Sequence, residues 1–396
     1  MKKSKKGARR RNVSKKGRKK RTPLPKPKTR ADLQPSPLDS GPTGFTSADE
    51  LGRAAAALQS GRPQEAFGIC GQVLALEPDN ADALNLAGVA AFQIGDGDEA
   101  RSLLETAITF RPGFADAHNN LGNVLKALGE LRLAEIQYRL ALDARPGYPD
   151  AEYNLGIALE AQGRFIDAEE SYRRCIKADP ASAPAHFNLG NVLRALGRLD
   201  EAMQTYKRAL DIHPGLAEAW NNLGTVEMEM GQAVDAIHSF RKAIGQDPGF
   251  AEGHYNLGIA LQETGEMEDA LGCYRKALEC DPGHVGAQVN IGYACKEMDR
   301  LDDAVAAYEQ AIAMAPDYDK VQVNLAAVHP GQGEAEKAVS LCDAYLQGPP
   351  GHSSALASTS IALEELGQKD CVRCLYDFDR LLRSVPPPEP SLVPDV

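Results

Sequence analysis

The chain has 396 residues, of which 43% are hydrophobic and 25% are charged, a composition typical of a globular protein. No apolar run approaches the roughly 18 residues that a membrane-spanning helix needs, and the N-terminus lacks the apolar core of a secretory signal. The eight cysteines are scattered without a compact framework, which predicts reduced thiols and a cytoplasmic location. These properties exclude a membrane-spanning protein and a disulfide-rich secreted domain.

The charge is divided unevenly along the chain. Residues 1–30 hold sixteen Lys or Arg and no acid, so the rest holds 44 − 16 = 28 basic residues against 55 acids and carries 28 − 55 = −27. A basic arm with few apolar residues is expected to be disordered when free and to contact polyanions such as nucleic acid, a ribosome or an anionic surface. The candidate polyanion-binding residues are Lys2, Lys3, Lys5, Lys6, Arg9, Arg10, Arg11, Lys15, Lys16, Arg18, Lys19, Lys20 and Arg21.

Two alternatives for the arm stay open. It is either a contact for phosphates or a solubilising tail, and it could be a nuclear address if the source is eukaryotic. Because no aromatic residue is interleaved with the basic ones, any nucleic-acid binding should be independent of sequence and steeply dependent on salt.

After the arm, the chain repeats itself every 34 residues. One column of the repeat is glycine, and sixteen residues later most repeats have an aromatic residue; each repeat closes with proline. The glycines are Gly88, Gly122, Gly156, Gly190, Gly224, Gly258 and Gly292. The aromatic residues are Tyr138, Tyr172, Tyr206, Phe240, Tyr274 and Tyr308. The closing prolines are Pro78, Pro112, Pro146, Pro180, Pro214, Pro248, Pro282, Pro316 and Pro350.

Each repeat reads as two antiparallel helices of about a dozen residues. A second glycine column, Gly95 to Gly265, falls where the first helix should end in a left-handed residue. The proline ends the second helix, because the residue before a proline is biased away from helical geometry. Such a pair cannot bury its apolar faces alone, so the pattern predicts stacking of the pairs into a solenoid.

This pattern resembles the tetratricopeptide repeat family over about residues 47–386. The resemblance implies an all-α, right-handed superhelical solenoid of about ten helix-turn-helix repeats, between an arm and linker at 1–46 and a proline-rich tail at 387–396. The predicted units are 47–80, 81–114, 115–148, 149–182, 183–216, 217–250, 251–284, 285–318, 319–352 and a degenerate 353–386. His329-Pro330 falls inside the first helix of the ninth unit and predicts a kink or a shortened helix there.

Asparagine occupies one column in seven consecutive repeats, although it is a poor helix former. These residues are Asn120, Asn154, Asn188, Asn222, Asn256, Asn290 and Asn324, hereafter the asparagine ladder. An asparagine amide can both donate to and accept from a peptide backbone, whatever the guest's side chains. The ladder also resembles that of O-linked N-acetylglucosamine transferases, which implies that it faces a concave groove and binds an extended polypeptide.

The neighbouring columns vary between repeats and supply further candidate groove contacts. These contacts are Lys126, Arg194, Tyr153, Phe187 and Tyr255. Constancy of the asparagine beside variable neighbours favours a peptide clamp. The alternative is that the asparagines were inherited by duplication or bond between repeats, since side-chain amides also bind nearby helix groups.

No catalytic constellation is evident in the sequence. His118, His186 and His254 share one column but lie two repeats apart, so they cannot share a metal ion, and packing is their expected role. Cys371 and Cys374 form an isolated C-x-x-C pair, and zinc would normally require a second pair. We therefore expect no enzyme activity, no metal and no cofactor, and no catalytic domain follows the repeats before Val396.

The sequence thus predicts a non-catalytic scaffold or adaptor that binds extended segments of other proteins. One alternative is the substrate-recruiting part, or a truncated relative, of a glycosyltransferase system like the O-linked N-acetylglucosamine transferases. A second alternative is a nucleic-acid or ribosome-associated adaptor anchored by the basic arm. The oligomeric state is not indicated.

Overall fold

The computed structural model describes residues 46–316 and 320–328, and throughout these ranges the regular structure is helical. The residues fall into two compact units, divided between Pro112 and Gly113. The predicted basic arm, the His329-Pro330 kink, the Cys371–Cys374 pair, the tenth repeat and the tail all lie outside the described residues.

The first compact unit contains two helix pairs. Its helices are α1 (Ser47–Gln59), α2 (Pro63–Leu76), α3 (Ala81–Ile94) and α4 (Gly97–Phe110). Each helix packs against the next, and α1 also contacts α3. Helix α1 begins with a capping box, in which the Thr46 side chain accepts from the Asp49 amide while the Asp49 carboxylate accepts from the Thr46 amide.

The second compact unit continues the same alternation of helices. The first helices of its pairs are α5 (Ala115–Ala127), α7 (Pro149–Glu160), α9 (Ala183–Ala195), α11 (Ala217–Glu229), α13 (Ala251–Glu263), α15 (Val285–Glu297) and α17 (Lys320–Ala326). The second helices are α6 (Leu131–Ala144), α8 (Phe165–Ala178), α10 (Leu199–Ile212), α12 (Ala233–Gln246), α14 (Met267–Cys280) and α16 (Leu301–Met314). Sequential helices pack together, and consecutive first helices from α5 to α13 also touch. The prediction of all-α stacked helix pairs is confirmed.

The first helix of each pair ends near the second glycine column, and the second helix ends near the closing proline. The second glycine column has φ between 73° and 90° from Gly95 to Gly265, which is the left-handed region that glycine adopts without steric cost. Asp299 takes the same place in the next repeat at φ 57°. Each second helix from α2 to α16 ends two residues before its closing proline. The predicted helix boundaries are therefore confirmed through α16.

The aromatic column packs against the glycine column of the same repeat. A Cβ placed on Gly190 would lie 2.6 Å from Cε1 of Tyr206, and on Gly224 it would lie 2.7 Å from Cε1 of Phe240. These two rings are fully buried. Glycine is thus required because the ring of the second helix lies directly on the backbone of the first helix. The ring thus fills space between the two helices of its own repeat.

Candidate functional site

The asparagine ladder lies on the first helices of seven successive pairs, from α5 to α17. Each of its seven side chains is half-buried, so each is partly packed and partly open to solvent. The helices place the asparagines at one register because successive first helices begin 34 residues apart from α5 to α15. The ladder is therefore a structural as well as a sequence feature.

Two ladder residues donate to an asparagine of the preceding repeat. Nδ2 of Asn154 lies 3.0 Å from Oδ1 of Asn119, and Nδ2 of Asn256 lies 3.0 Å from Oδ1 of Asn221. Asn119 and Asn221 are buried. The same geometry thus recurs three repeats apart and fixes the orientation of both ladder amides.

Other repeats keep the amide's direction but change its acceptor. In one repeat, Nδ2 of Asn188 donates to Oη of Tyr153 over 3.2 Å. Asn222 cannot use the corresponding Phe187, which has no acceptor, and donates instead to Oδ1 of Asn191 over 2.9 Å. Inter-repeat bonding, which the sequence left open as an alternative, is therefore present in four of the ladder residues.

These bonds leave part of each amide available. Within residues 46–316 and 320–328, no donor bonds the Oδ1 atoms of Asn154, Asn188 and Asn256. Each Nδ2 group also carries a second hydrogen, because an asparagine amide has two donors. The inter-repeat bonds of these three side chains therefore leave their Oδ1 atoms unused within those ranges.

The aromatic groove candidates stack on the buried aromatic column of their own repeat. Tyr153, Phe187 and Tyr255 are half-buried, and their ring centroids lie 6.0–6.1 Å from those of the aromatic rings on the next helix. Tyr255 also lies 4.5 Å, between centroids, from the His284 ring. Such tilted contacts contribute about 0.5–1.5 kcal/mol each beyond area burial. One edge of each ring is left at the surface beside the ladder.

The two basic groove candidates differ in their surroundings. Burial lowers the pKa of the half-buried Lys126. Arg194 forms an ion pair of 2.6 Å with Glu229 of the next first helix. Arg194 thus bridges two repeats, and its charge is partly neutralised. The sequence analysis named Arg194 as a candidate groove contact and did not identify Glu229 as its partner.

Two buried tyrosines donate to an asparagine placed one residue after the glycine column. Oη of Tyr138 lies 2.9 Å from Oδ1 of Asn123, and Oη of Tyr206 lies 2.7 Å from Oδ1 of Asn191. A buried hydroxyl without a partner would cost about 1–3 kcal/mol. Asn123 and Asn191 therefore support the core, and comparing the aromatic and asparagine columns repeat by repeat could have found them.

Where that position is isoleucine, the tyrosine uses the column six residues after the ladder. Oη of Tyr172 lies 2.8 Å from Oε2 of Glu160, and Oη of Tyr274 lies 2.9 Å from Oε1 of Gln262. The repeat with Phe240, which has no hydroxyl, carries an apolar residue in this column. In these repeats the residue six positions after the ladder is polar where the buried ring has a hydroxyl and apolar where it has none. The variation of this column is therefore weaker evidence for a peptide-binding groove than the sequence suggested.

The histidine column has a local structural role. The half-buried rings of this column bond to the carbonyl of the closing proline six residues earlier. The pairs are His186 with Pro180 at 3.2 Å, Trp220 with Pro214 at 2.9 Å, and His254 with Pro248 at 3.0 Å. Tryptophan can replace histidine there because its ring N–H reaches the same carbonyl.

The part of the chain that the structure describes contains neither a cluster of metal-binding side chains nor a membrane-spanning helix. There, no three His, Cys, Asp or Glu side chains come together as a metal site would require. No helix in that part is long and apolar enough to cross a membrane.

The sequence matches tetratricopeptide repeat models over most of its length. Models described as tetratricopeptide repeat match residues 94–149 and 153–217, 57–119 and 296–359, 250–317, and 217–250. Together they cover 57–149 and 153–359, so they match well over half of the chain. No curated protein matches the sequence.

Three solved structures illustrate the fold-level likeness. YrrB, described as a TPR protein with an unusual peptide-binding site, is 26% identical, over 46% of this chain and 95% of its own, with a TM-score of 0.42. MamA is 28% identical, over 41% of this chain and 95% of its own, with a TM-score of 0.40. PilF of Pseudomonas aeruginosa is 22% identical, over 52% of this chain and 95% of its own, with a TM-score of 0.47.

Proposed function

Because the chain belongs to the tetratricopeptide repeat family, we propose that it is a non-catalytic scaffold that binds extended segments of other proteins along its asparagine ladder. The observation that carries the proposal is the common placement of the seven ladder residues. Each lies half-buried at the same register of a first helix, so one amide per repeat is offered to a guest.

The inter-repeat bonds prepare the amides for this role. Donation from Nδ2 to the preceding repeat fixes the side chains of Asn154, Asn188 and Asn256 before a guest arrives. Their Oδ1 atoms then accept peptide N–H groups, and their second Nδ2 hydrogens reach peptide carbonyls. Groups held in their bound orientation lose less conformational entropy on association, which strengthens binding.

The spacing of the repeats fits an extended guest. Packed helices lie roughly 8–10 Å apart, and an extended chain advances about 3.3 Å per residue. One ladder residue therefore meets about every third guest residue, and seven would hold on the order of 20 residues. Because the amides bind backbone, the half-buried Tyr153, Phe187, Tyr255 and Lys126 are left to set side-chain preference.

The proposal is tested by two matched triple variants of the full chain. The first replaces Asn154, Asn188 and Asn256 by Ala and removes the ladder amides. The second replaces only their acceptors, with Asn119→Ala, Tyr153→Phe and Asn221→Ala. Immobilised wild-type and variant proteins would be used to capture partners, which mass spectrometry would identify. We expect partners that are lost with the ladder variant and retained by the acceptor variant; retention of the same partners by both would contradict the proposal.

The two alternative functions are separable by the same approach. Co-purification of a glycosyltransferase would favour a substrate-recruiting role in a system like the O-linked N-acetylglucosamine transferases. Loss of nucleic acid or ribosomes on deletion of residues 1–30 would favour the anchored adaptor. The scaffold that we propose keeps its peptide partner after that deletion.

A further inference from the structure

A cleft of about 560 Å³ is lined by residues of α8, α9 and α10, none of which belongs to the asparagine ladder. Its walls carry four cations, Arg173, Lys177, Lys207 and Arg208, and one acid, Asp211. With His neutral, the lining residues therefore carry 4 − 1 = +3. This is unusual in a chain whose residues 31–396 carry 28 − 55 = −27.

The repeat itself explains how this cleft became cationic. In the preceding repeat, Arg174 is neutralised by Glu152 at 2.9 Å and by Glu170 at 2.5 Å. Its counterpart 34 residues later, Arg208, lines the cleft, and among the described residues it forms an ion pair only with Asp211, at 3.4 Å.

Three substitutions between the two repeats produce this difference. The preceding repeat has Asp143, Glu152 and Glu170 where the cleft has Lys177, His186 and Gln204. The first set carries −3 and the second carries +1 with His neutral, a difference of 1 − (−3) = 4 charges. One repeat after the cleft, the same positions are Asp211, Trp220 and His238, which carry −1. Among these three repeats, the three positions carry a net positive charge only in the cleft.

Two of the cations are not held in ion pairs within the described residues, although the charge of Lys207 also acts on the buried Glu227. Lys177 and Lys207 are exposed, and neither forms an ion pair with any residue in the described ranges. Arg173, in contrast, is paired with Glu169 at 2.9 Å and with Glu201 at 3.1 Å. The two ammonium groups therefore remain available to a ligand.

We propose that this cleft binds an extended acidic segment of a partner protein. The carboxylates of the segment would pair with the side chains of Lys177, Lys207 and Arg208. Apolar contacts are available beside the charges, because Ile176 and Leu189 also line the cleft. This combination favours glutamate or aspartate interleaved with apolar residues. A long nucleic acid is disfavoured, because it would meet the net negative charge of the surrounding body and because no Phe, Tyr or Trp lines the cleft for base stacking.

The cleft and the ladder are separate sites. The cleft is formed mainly by the second helices α8 and α10, whereas the ladder lies on first helices. The chain would then hold two segments at once, which raises overall affinity for a partner that carries both. Failure at the cleft would leave the asparagine-ladder proposal untouched, because the test changes no ladder residue or ladder acceptor.

The test uses the full chain and a 12-residue peptide in which every third residue is leucine and the others are glutamate. The peptide carries fluorescein and a benzophenone, so that binding is followed by anisotropy and the contact site is mapped by photocrosslinking and mass spectrometry. A peptide with glutamine for glutamate and a single-stranded oligouridylate of equal length are the comparison probes.

The cleft variant is Lys177→Asp with Lys207→Glu, and the control is Arg132→Asp on α6. Acids already occupy these three columns in other repeats, as Asp143, Glu105 and Asp200, so the variants should fold; thermal unfolding checks this. Lys177→Gln serves as a milder second variant. Arg132 is exposed but does not line the cleft.

We expect crosslinks within residues 173–211, affinity lowered about tenfold or more by the cleft variant and less than twofold by the control, and loss of binding with the glutamine peptide. Crosslinks confined to residues 1–30 would overturn the proposal. An equal effect of Arg132→Asp, or tighter binding of oligouridylate through Lys177 and Lys207, would overturn it too.

Discussion

The amide nitrogen of Asn188 lies 3.2 Å from the hydroxyl oxygen of Tyr153, a residue 35 positions earlier on the preceding first helix. The bond joins two repeats and also fixes the amide that we propose binds a guest. The Asn188 side chain thus contributes to the stability of the fold and to the binding that we propose. These two contributions can be separated, because Tyr153→Phe removes the acceptor and leaves the amide.

Asn188→Ala and Tyr153→Phe should therefore have similar effects on stability and different effects on binding. Each removes the same hydrogen bond, so each should lower the free energy of unfolding by about 0.5–1.5 kcal/mol. Asn188→Ala should weaken affinity for a captured partner segment by about threefold to tenfold, and Tyr153→Phe by less, because it removes only the bond that fixes the amide. Urea denaturation and titration calorimetry measure the two effects. Equal affinity losses in both variants would show that the bond, and not the free part of the amide, matters for binding.

The glycine column should tolerate no methyl group. A Cβ at Gly190 would lie 2.6 Å from the buried Tyr206 ring, so Gly190→Ala should destabilise the chain by about 1–3 kcal/mol. Gly272 in α14 provides the matched control, because a Cβ there meets nothing within 4 Å. Gly272→Ala should raise stability by about 0.5–1 kcal/mol through its better helix propensity. Urea denaturation of both variants checks this, and a neutral Gly190→Ala would contradict the close packing.

Periodicity was sufficient to predict the helix pairs, because the helix-ending glycine recurs from Gly95 to Gly265 and each second helix through α16 is followed by its proline. The direction of side-chain bonds was not predictable in this way. Whether Asn222 meets Phe187 or Asn191 depends on contacts between different repeats, and spacing along one helix does not report them. The cationic cleft was also missed, since Lys177 and Lys207 are ordinary exposed residues until the helices α8 and α10 bring them together.

The hydrogen-bond partner of each buried tyrosine should be exchangeable between repeats. Oη of Tyr172 donates to Glu160, whereas the sixth repeat has the apolar pair Phe240 and Met228 at the same positions. Tyr172→Phe and Glu160→Met should each destabilise the chain by about 1 kcal/mol, because each leaves one polar partner behind. The double variant recreates the pair of the sixth repeat and should recover about 1 kcal/mol of the summed loss.

A double-mutant cycle in urea measures this coupling. Tyr274 with Gln262 offers an independent second cycle with the same geometry, at 2.9 Å. If the losses in the free energy of unfolding are additive in both cycles, the residue at the column of Glu160 and Gln262 varies independently of the buried hydroxyl. The variation of that column would then again be evidence for a variable groove.

Glu227 should make the chain less stable as the pH rises. Its carboxyl is 5% exposed in α11, in a column that holds leucine in four other repeats, and it accepts a 2.6 Å hydrogen bond from Ser239. Burial raises its pKa, while the Ser239 hydroxyl and the charges of Lys207 and His238 oppose the shift and Asp235 adds to it. The folded chain therefore holds this proton to a higher pH than the unfolded chain does, so stability is full below the unfolded pKa of about 4.5 and is lost as the pH rises through the folded pKa.

Glu227→Gln removes this titration and keeps an acceptor for Ser239. The variant should be more stable than the wild type at pH 7–8, on the order of 1 kcal/mol, since a buried ionised carboxylate is costly. The gap should close as the pH falls below about 4.5, where Glu227 is protonated in both the folded and the unfolded wild-type chain. Urea denaturation at a series of pH values measures it, with Glu218→Gln, exposed on the same helix, as the control. A constant gap across the series would show that the difference arises from packing and not from the charge of Glu227.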